Sequence, residues 1–377
     1  MNARAALRWL GQRFELARHG DAGNLPPMEG LRGVAVFMVF WVHFASLARP
    51  WAPAGATSAM LLDALERVGH AGVDLFFVLS GYLIYGSLIA RARPFVPYMR
   101  RRVRRIYPAF LCVFGIYVLL AFAAPAATRL PQSGDALAVY LVANLLLLPG
   151  IFPIEPLINV AWSLSYEVFY YLCIPLLIGV FALRRRSVRV RCAFFVVIGL
   201  AGALYCALYT GPVRLVMFIG GILLWEALAM REPPTVNGVA VAAALLVALA
   251  VELLRPDGSW GYATRTLVFC AAFSLLCLRA FAPQSTRLSA ALSWTPLRWL
   301  GNMSYSYYLV HGLTLKVLFT ALALVVPAAP WSAPAFALLF VVAFAATLPT
   351  SALLFLAVER PLSLARAHAV TPRPVAA

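Results

Sequence analysis

Arginine 32 and histidine 43 stand eleven residues apart in an otherwise apolar stretch, Arg32-Gly-Val-Ala-Val-Phe-Met-Val-Phe-Trp-Val-His43. At 100° per residue that interval is within about 20° of three whole turns, so on a helix both side chains share one face with about 16 Å of rise between them. Glu29 falls near the same line. An imidazole so placed can take a proton from a hydroxyl, or attack an acyl group and carry it briefly. Either role needs the uncharged ring. Simple packing also accommodates these residues, with Arg32 as a flank residue reaching the interface and His43 as a hydrogen-bonded histidine.

Other polar residues interrupt apolar runs at helical spacing. In Gly69-His70-Ala-Gly72-Val-Asp74 the histidine and aspartate are at i, i+4 and can pair near the outer surface, and Ser80 follows two turns on. Gly72 and Gly81 permit close helix approach. Arg102 and Arg105 are i, i+3 neighbours, and arginine forks suit phosphate recognition. In Trp162-Ser163-Leu-Ser165-Tyr166-Glu167, Ser163 and Glu167 share a face, with Tyr170 and Tyr171 one turn further. Glu167 has no arginine or lysine close in sequence, so its partner is expected on another helix. Ser304, Tyr307 and His311 lie on one face. Counted from residue 299, His311 is about 18 Å in, at the expected depth of His43, so the two imidazoles should meet near mid-membrane. Glu359-Arg360-Pro361 reads as a helix terminus, and Lys316 as a side chain snorkelling to the outer interface.

The elements holding these residues follow from composition. Of 377 residues, 63% are apolar and 12% charged, too few charges for a water-soluble surface. Disorder, a coiled coil and a collagen-like fibre are excluded by the same figures. An all-α polytopic membrane protein remains. Runs near the ~20 residues a spanning helix needs lie at about 33–50, 72–90, 106–124, 162–183, 192–210, 213–230, 236–254, 263–282, 299–325 and 334–357. That predicts ten transmembrane helices. The formal charge of +17 is mostly arginine in short connections, which membrane topology explains without nucleic acid. None of the six cysteines makes a C-x-x-C pair, so they read as packing residues rather than zinc ligands or disulfides. No metal site is expected.

Arginines set the orientation. Arg91 to Arg105 and Arg184 to Arg191 fill two connections, which the positive-inside rule keeps in the cytoplasm, with both termini. Were 138–149 to span, the two clusters would fall on opposite sides, so that segment is expected to be a short re-entrant or interfacial helix on the outer face. Residues 1–28 read as a cytoplasmic segment in which Arg8, Arg13, Glu15 and Arg18 can form an amphipathic surface helix. They hold no signal-peptide stretch. Residues 29–362 then form one transmembrane domain and 363–377 a cytoplasmic tail.

These stretches also resemble the acyltransferase-3 family of integral membrane O-acyltransferases, whose members modify surface polysaccharides, lipopolysaccharide, Nod factors and macrolides. The likeness rests on Leu31-Arg32 through His43, "GHAGVDLFFVLSGYLI" (69–84), "RRVRRIYP" (101–108), "WSLSYEVFYY" (162–171), "SYSYYLVHG" (304–312) and "ERP" (359–361), in the family's order across about residues 25–362. Glu29 stands where the family often has aspartate. The resemblance implies acetyl-CoA or another acyl-CoA as cytoplasmic donor, a saccharide or glycolipid acceptor, and residence in the bacterial inner membrane. It implies His43 as the catalytic histidine, Arg32 as its companion, and importance for Arg102, Arg105, Ser165 and Glu167. The expected reaction draws the donor into the inner mouth, its phosphates on Arg32, Arg102 and Arg105, while Glu167 and Asp74 orient a histidine or bind sugar. His70, Ser80, Ser163, Tyr170, Ser304, Tyr307 and His311 support substrate. Two rivals remain open: a proton-coupled transporter or exporter using the buried histidines and carboxylates as a relay, and a different membrane O-acyltransferase family, which leaves the Arg32–His43 spacing unexplained.

Overall fold

The computed structural model describes residues 3–16, 25–123, 130–131, 134–282 and 286–364. In chain order the helices are α1 Ala3–Phe14, α2 Pro26–Ala48, α3 Ala56–Ile89, α4 Phe95–Ala123, α5 Gly134–Leu145, α6 Trp162–Val180 and α7 Val188–Tyr209. They continue with α8 Val216–Leu228, α9 Gly238–Leu254, α10 Gly258–Ala280, α11 Arg287–Leu292, α12 Thr295–Asn302, α13 Ser304–Val325 and α14 Ala333–Leu354, which runs on into a wider π-helical stretch, Phe355–Leu364. Large apolar residues such as Leu119, Leu176, Val197 and Leu338 stand outward on these helices, as lipid-facing surfaces require. This is an all-α, multi-pass membrane protein.

Among the described residues eight helices are long and apolar enough to cross a membrane. Two of the ten expected runs are shorter than the sequence suggests. The run at 213–230 is a tight turn, Val213–Leu215, followed by the 13 residues of α8, and that at 236–254 is the 17 residues of α9. The expected 299–325 helix breaks at Met303, which ends α12 and starts α13. In contrast α3 has 34 residues, about 51 Å, and outruns a ~30 Å hydrocarbon slab. Its extra turns carry Asp63 and Glu66, both paired with Arg49.

Both arginine clusters meet at one end of the bundle. Arg184 donates to the Leu88 carbonyl at the end of α3 (2.7 Å), and Arg102 near the start of α4 donates to Ser87 (3.0 Å). Helix α5 is short, and the chain after it returns to α6 as irregular backbone whose polar groups are satisfied by side chains. Asn144 donates to the Glu155 carbonyl and accepts from Leu157 N–H (2.7 Å), Tyr107 donates to the Leu145 carbonyl, and Ser165 to that of Pro149. Non-helical backbone is tolerated at membrane depth only where protein satisfies it in this way. The short helix expected over 138–149 is α5, Gly134–Leu145, and the rest of that segment is irregular.

Helix α3 is the central post, lying along α2 on one side and α8 on the other. Gly72 lets the α2 backbone in at Ala35, while Gly81 faces the Phe218 carbonyl of α8 and Gly221 of α8 faces that of Val78. A Cβ at Gly221 would overlap that carbonyl, and neither helix can retreat without unpacking its other face. Gly221→Ala is expected to destabilise the fold by about 1–3 kcal/mol, the usual range for an overpacked core. A lowered thermal unfolding midpoint in detergent checks this, and an unchanged one contradicts it. A second core of α2, α13 and α14 is aromatic, with Phe37, Phe40 and Phe44 meeting Phe340 and Phe344.

The amphipathic N-terminal segment is helical as α1, but its end docks on the bundle rather than only on a surface. Phe14 is buried and stacks on Phe355 at 5.6 Å, and Asn302 donates to its carbonyl (3.0 Å). Glu15 accepts from Arg298 (2.6 Å), which also holds Glu29 (2.9 Å). Arg18 and residues 365–377 of the expected tail lie outside the described residues.

Candidate active site

Five helices enclose a cavity of about 140 Å³. The α3 wall is apolar, with Phe76, Phe77, Leu79 and Leu83 interrupted by Ser80. Facing it are Arg32 from α2, Arg102 and Arg105 from α4, Ser163, Glu167 and Tyr171 from α6, and Ser304, Tyr305 and Tyr308 from α13. An apolar groove edged by guanidinium groups suits a ligand with an anionic head and an apolar arm.

Each cation is held in place. Arg32 donates through Nε (3.0 Å) and Nη2 (2.9 Å) to the Ser304 hydroxyl, so the first residue of α13 aims it into the cavity. Interface snorkelling does not describe it. The Arg102 guanidinium sits over the rings of Tyr98 (5.1 Å) and Tyr171 (5.0 Å). Arg105 is bound to Glu359 (Nη1 to Oε1, 2.5 Å) and lies over Tyr305. Its charge is therefore met within the protein, which weakens its expected role as a phosphate ligand.

Glu359 is fully buried and accepts also from the backbone N–H (3.1 Å) and hydroxyl (2.5 Å) of Ser306. It is not a simple helix terminus, because the wide turns after Leu354 carry it inward to α4 and α13. Glu167 accepts from Tyr171 at 2.7 Å, one turn on in its own helix rather than from another.

The two histidines do meet. The ring centroids of His43 and His311 are 4.9 Å apart in an edge-on arrangement. His311 is buried, with Nδ1 2.8 Å from the Tyr307 carbonyl. A carbonyl only accepts, so Nδ1 carries the hydrogen and Nε2 presents a lone pair, which has no hydrogen-bond partner among the described residues. Tyr307 stacks on this ring at 5.1 Å and itself accepts from Thr347.

His43 lies within the 26-residue apolar stretch Pro26–Trp51, closer to its middle than to either end. Neither imidazole lines the cavity. Phe76 and Tyr308, whose rings contact at 6.2 Å, both line the cavity, and Tyr308 also touches His311 (6.2 Å). The Tyr308 hydroxyl is tied to Ser163 (2.9 Å) and the Val160 carbonyl (3.1 Å).

Other expected site residues lie elsewhere. Asp74 pairs with Arg214 at 3.4 Å, not with His70, which is exposed. Arg214 also lies over Trp162 and Tyr262. Ser165 donates to the Pro149 carbonyl, and Tyr170 donates to the Leu215 carbonyl (2.8 Å) while stacked on Phe218 at 4.2 Å. Lys316 is exposed on α13. All six cysteines are free. No group of three metal-binding side chains is found among the described residues.

Tyr171, Tyr305, Tyr308, Glu359 and Arg214 were not among the candidates. Two carried a signal. Tyr171 is at i+4 from Glu167, and Arg214 is an arginine at the end of the bundle where the positive-inside rule leaves few.

The acyltransferase-3 family description, an acyltransferase domain, matches residues 27–356. The chain is 29% identical to the acyltransferase MdmB of Streptomyces mycarofaciens over 324 residues, covering 78% of this chain and 79% of that one. It is also 29% identical to the exopolysaccharide production protein ExoZ of Rhizobium meliloti, over 70% of this chain and 83% of that one. Identity to the peptidoglycan O-acetyltransferase OatA of Listeria monocytogenes is 24%, over 76% of this chain and 49% of OatA. No solved structure matches the chain. With a family match from near the start of α2 to the end of α14, the protein belongs to the acyltransferase-3 family.

Proposed function

We propose that the protein transfers an acyl group, acetyl above all, from cytoplasmic acyl-CoA to a hydroxyl of a cell-surface or exported saccharide or glycolipid, working in the bacterial inner membrane. The observation that carries this reading is the cavity itself, in which Arg32, Arg102 and Glu167 face an apolar wall near a pair of histidines, His43 and the buried His311. Family membership supports acyl transfer, and the names of ExoZ and OatA favour a saccharide acceptor.

In the direct route His43 takes the proton of the acceptor hydroxyl as its oxygen attacks the thioester carbonyl. The tetrahedral species then expels the coenzyme A thiolate, which is protonated in turn. In the two-step route an imidazole nitrogen attacks first, the thiolate leaves, and the acyl-imidazole passes its acyl group to the hydroxyl. His311, held with its Nε2 lone pair free, can accept an N–H of His43 and fix which nitrogen reacts. In this reading Phe76 and Tyr308, which line the cavity next to His311, form the partition that the thioester passes on either route. The acyl arm reaches His43 only when those rings part.

The test uses inverted membrane vesicles and labelled acetyl-CoA with no ion gradient imposed. Label should move to membrane-associated saccharide, insensitive to ionophores. A gradient-dependent export activity with no transfer would overturn the reading in favour of a transporter. Ser304→Ala removes the acceptor that aims Arg32. A hydrogen bond to a charged group is worth about 1.5–3 kcal/mol, so transfer at low donor concentration should fall at least about tenfold. Unchanged donor dependence would show that Arg32 does not need this anchor.

A further inference from the structure

A second pocket, of about 380 Å³, lies at the arginine-rich end between the start of α4 and the middle of α6. Arg93 and Arg184 flank it, the exposed Phe95 and the buried Tyr98 supply aromatic rings, and the exposed Leu172 and Leu176 form another edge. It shares a wall with the central cavity. Tyr98 lines the pocket, Tyr171 lines the cavity, their rings stand 6.4 Å apart, and Arg102 lies over both.

We propose that this pocket holds the nucleotide end of the acyl donor, with its phosphates on Arg93 and Arg184 and its base against Phe95 and Tyr98. The proposal rests on the acyl-CoA reading above and moves the phosphate site away from Arg32 and Arg105. Those two are engaged by Ser304 and Glu359, whereas Arg93 is exposed. Arg184 spends Nε and Nη2 on the Leu88 carbonyl, which leaves Nη1 for an anion. A phosphorylated nucleoside needs this pairing of guanidinium groups with aromatic faces. The thin pantetheine arm would enter the cavity past Arg102, whose aromatic sandwich marks the crossing point between the two spaces.

Equilibrium binding of coenzyme A and of pantetheine to the full chain in nanodiscs of neutral lipid tests the assignment without knowledge of the acceptor. The wild-type protein should bind coenzyme A at least about tenfold more tightly than pantetheine. In Arg93→Glu that advantage should vanish while pantetheine binding is unchanged, and Phe95→Ala should erode it. A coenzyme A advantage that survives both substitutions overturns the proposal. So does an Arg93→Glu effect confined to nanodiscs containing phosphatidylglycerol, which would make the pocket a lipid-headgroup site. If the vesicles transfer acetyl from acetyl-CoA yet coenzyme A shows no advantage over pantetheine, this inference falls and the function stands. If the vesicles transfer nothing from acetyl-CoA, the function itself falls.

Discussion

Replacing His43 by alanine should reduce acyl transfer by at least about a hundredfold, and by up to about ten-thousandfold, while the protein stays folded in the membrane. General-base catalysis is worth about 10²–10⁴ in rate, and loss of a covalent carrier costs no less. His43 makes an aromatic contact with His311, and among the described residues no hydrogen bond of its ring nitrogens ties the bundle together. Its removal therefore strands no buried partner, which makes it a clean probe of chemistry. Labelled acetyl transfer in vesicles, normalised to protein in the membrane, measures the effect. Unimpaired transfer would remove His43 from the reaction and leave the helical stripe with Arg32 a matter of packing. His311→Ala offers a contrast. If His311 only orients its neighbour, its loss should cost less than that of His43.

The largest expected effect on stability lies elsewhere. Glu226 is fully buried in α8, where both its oxygens accept from Arg191 (2.6 and 2.7 Å) and one also accepts from the Tyr85 hydroxyl. Taking away one partner of a buried ion pair leaves the other charge uncompensated, at a cost of about 3–5 kcal/mol. Glu226→Ala should lower the thermal midpoint in detergent sharply and reduce the amount accumulated in membranes. Replacing both partners with apolar residues, Arg191→Met with Glu226→Leu, should recover much of the loss, since no charge is then stranded. If the double variant is no better than the single, the cost came from packing rather than from an unpaired guanidinium.

The sequence exposed one part of this architecture more readily than another. Arg32, Ser80, Arg102, Arg105, Ser163, Glu167 and Ser304 all reach one cavity. They could be singled out because polar side chains in apolar helices are costly, and helical periodicity tells which of them share a face. Arginine parity likewise kept 138–149 from being counted as a span. Partnerships between helices distant in sequence were not legible. Nothing near Asp74 points to Arg214, and nothing near Arg105 points to Glu359 some 254 positions away. Periodicity gives an angle about one helix axis, whereas the cavity depends on how far neighbouring helices slide along one another. That offset sets His43 and His311 side by side yet leaves both out of the cavity lining. The wide turns after Leu354, which bury Glu359, likewise leave no mark in the periodicity of an apolar run.

An enzyme that works as proposed above, drawing its acyl donor from the cytoplasm into a cavity within the membrane, must not become a leak. A bore open at both mouths would carry water and protons, and the cell would spend its proton-motive force through it. In that scheme Phe76 and Tyr308 would serve as a bulkhead, with the tyrosine hydroxyl pinned to the Val160 carbonyl just before α6. On the proposed mechanism insulation and access to His43 depend on the same two rings, and the path to the imidazole is open only while they are parted.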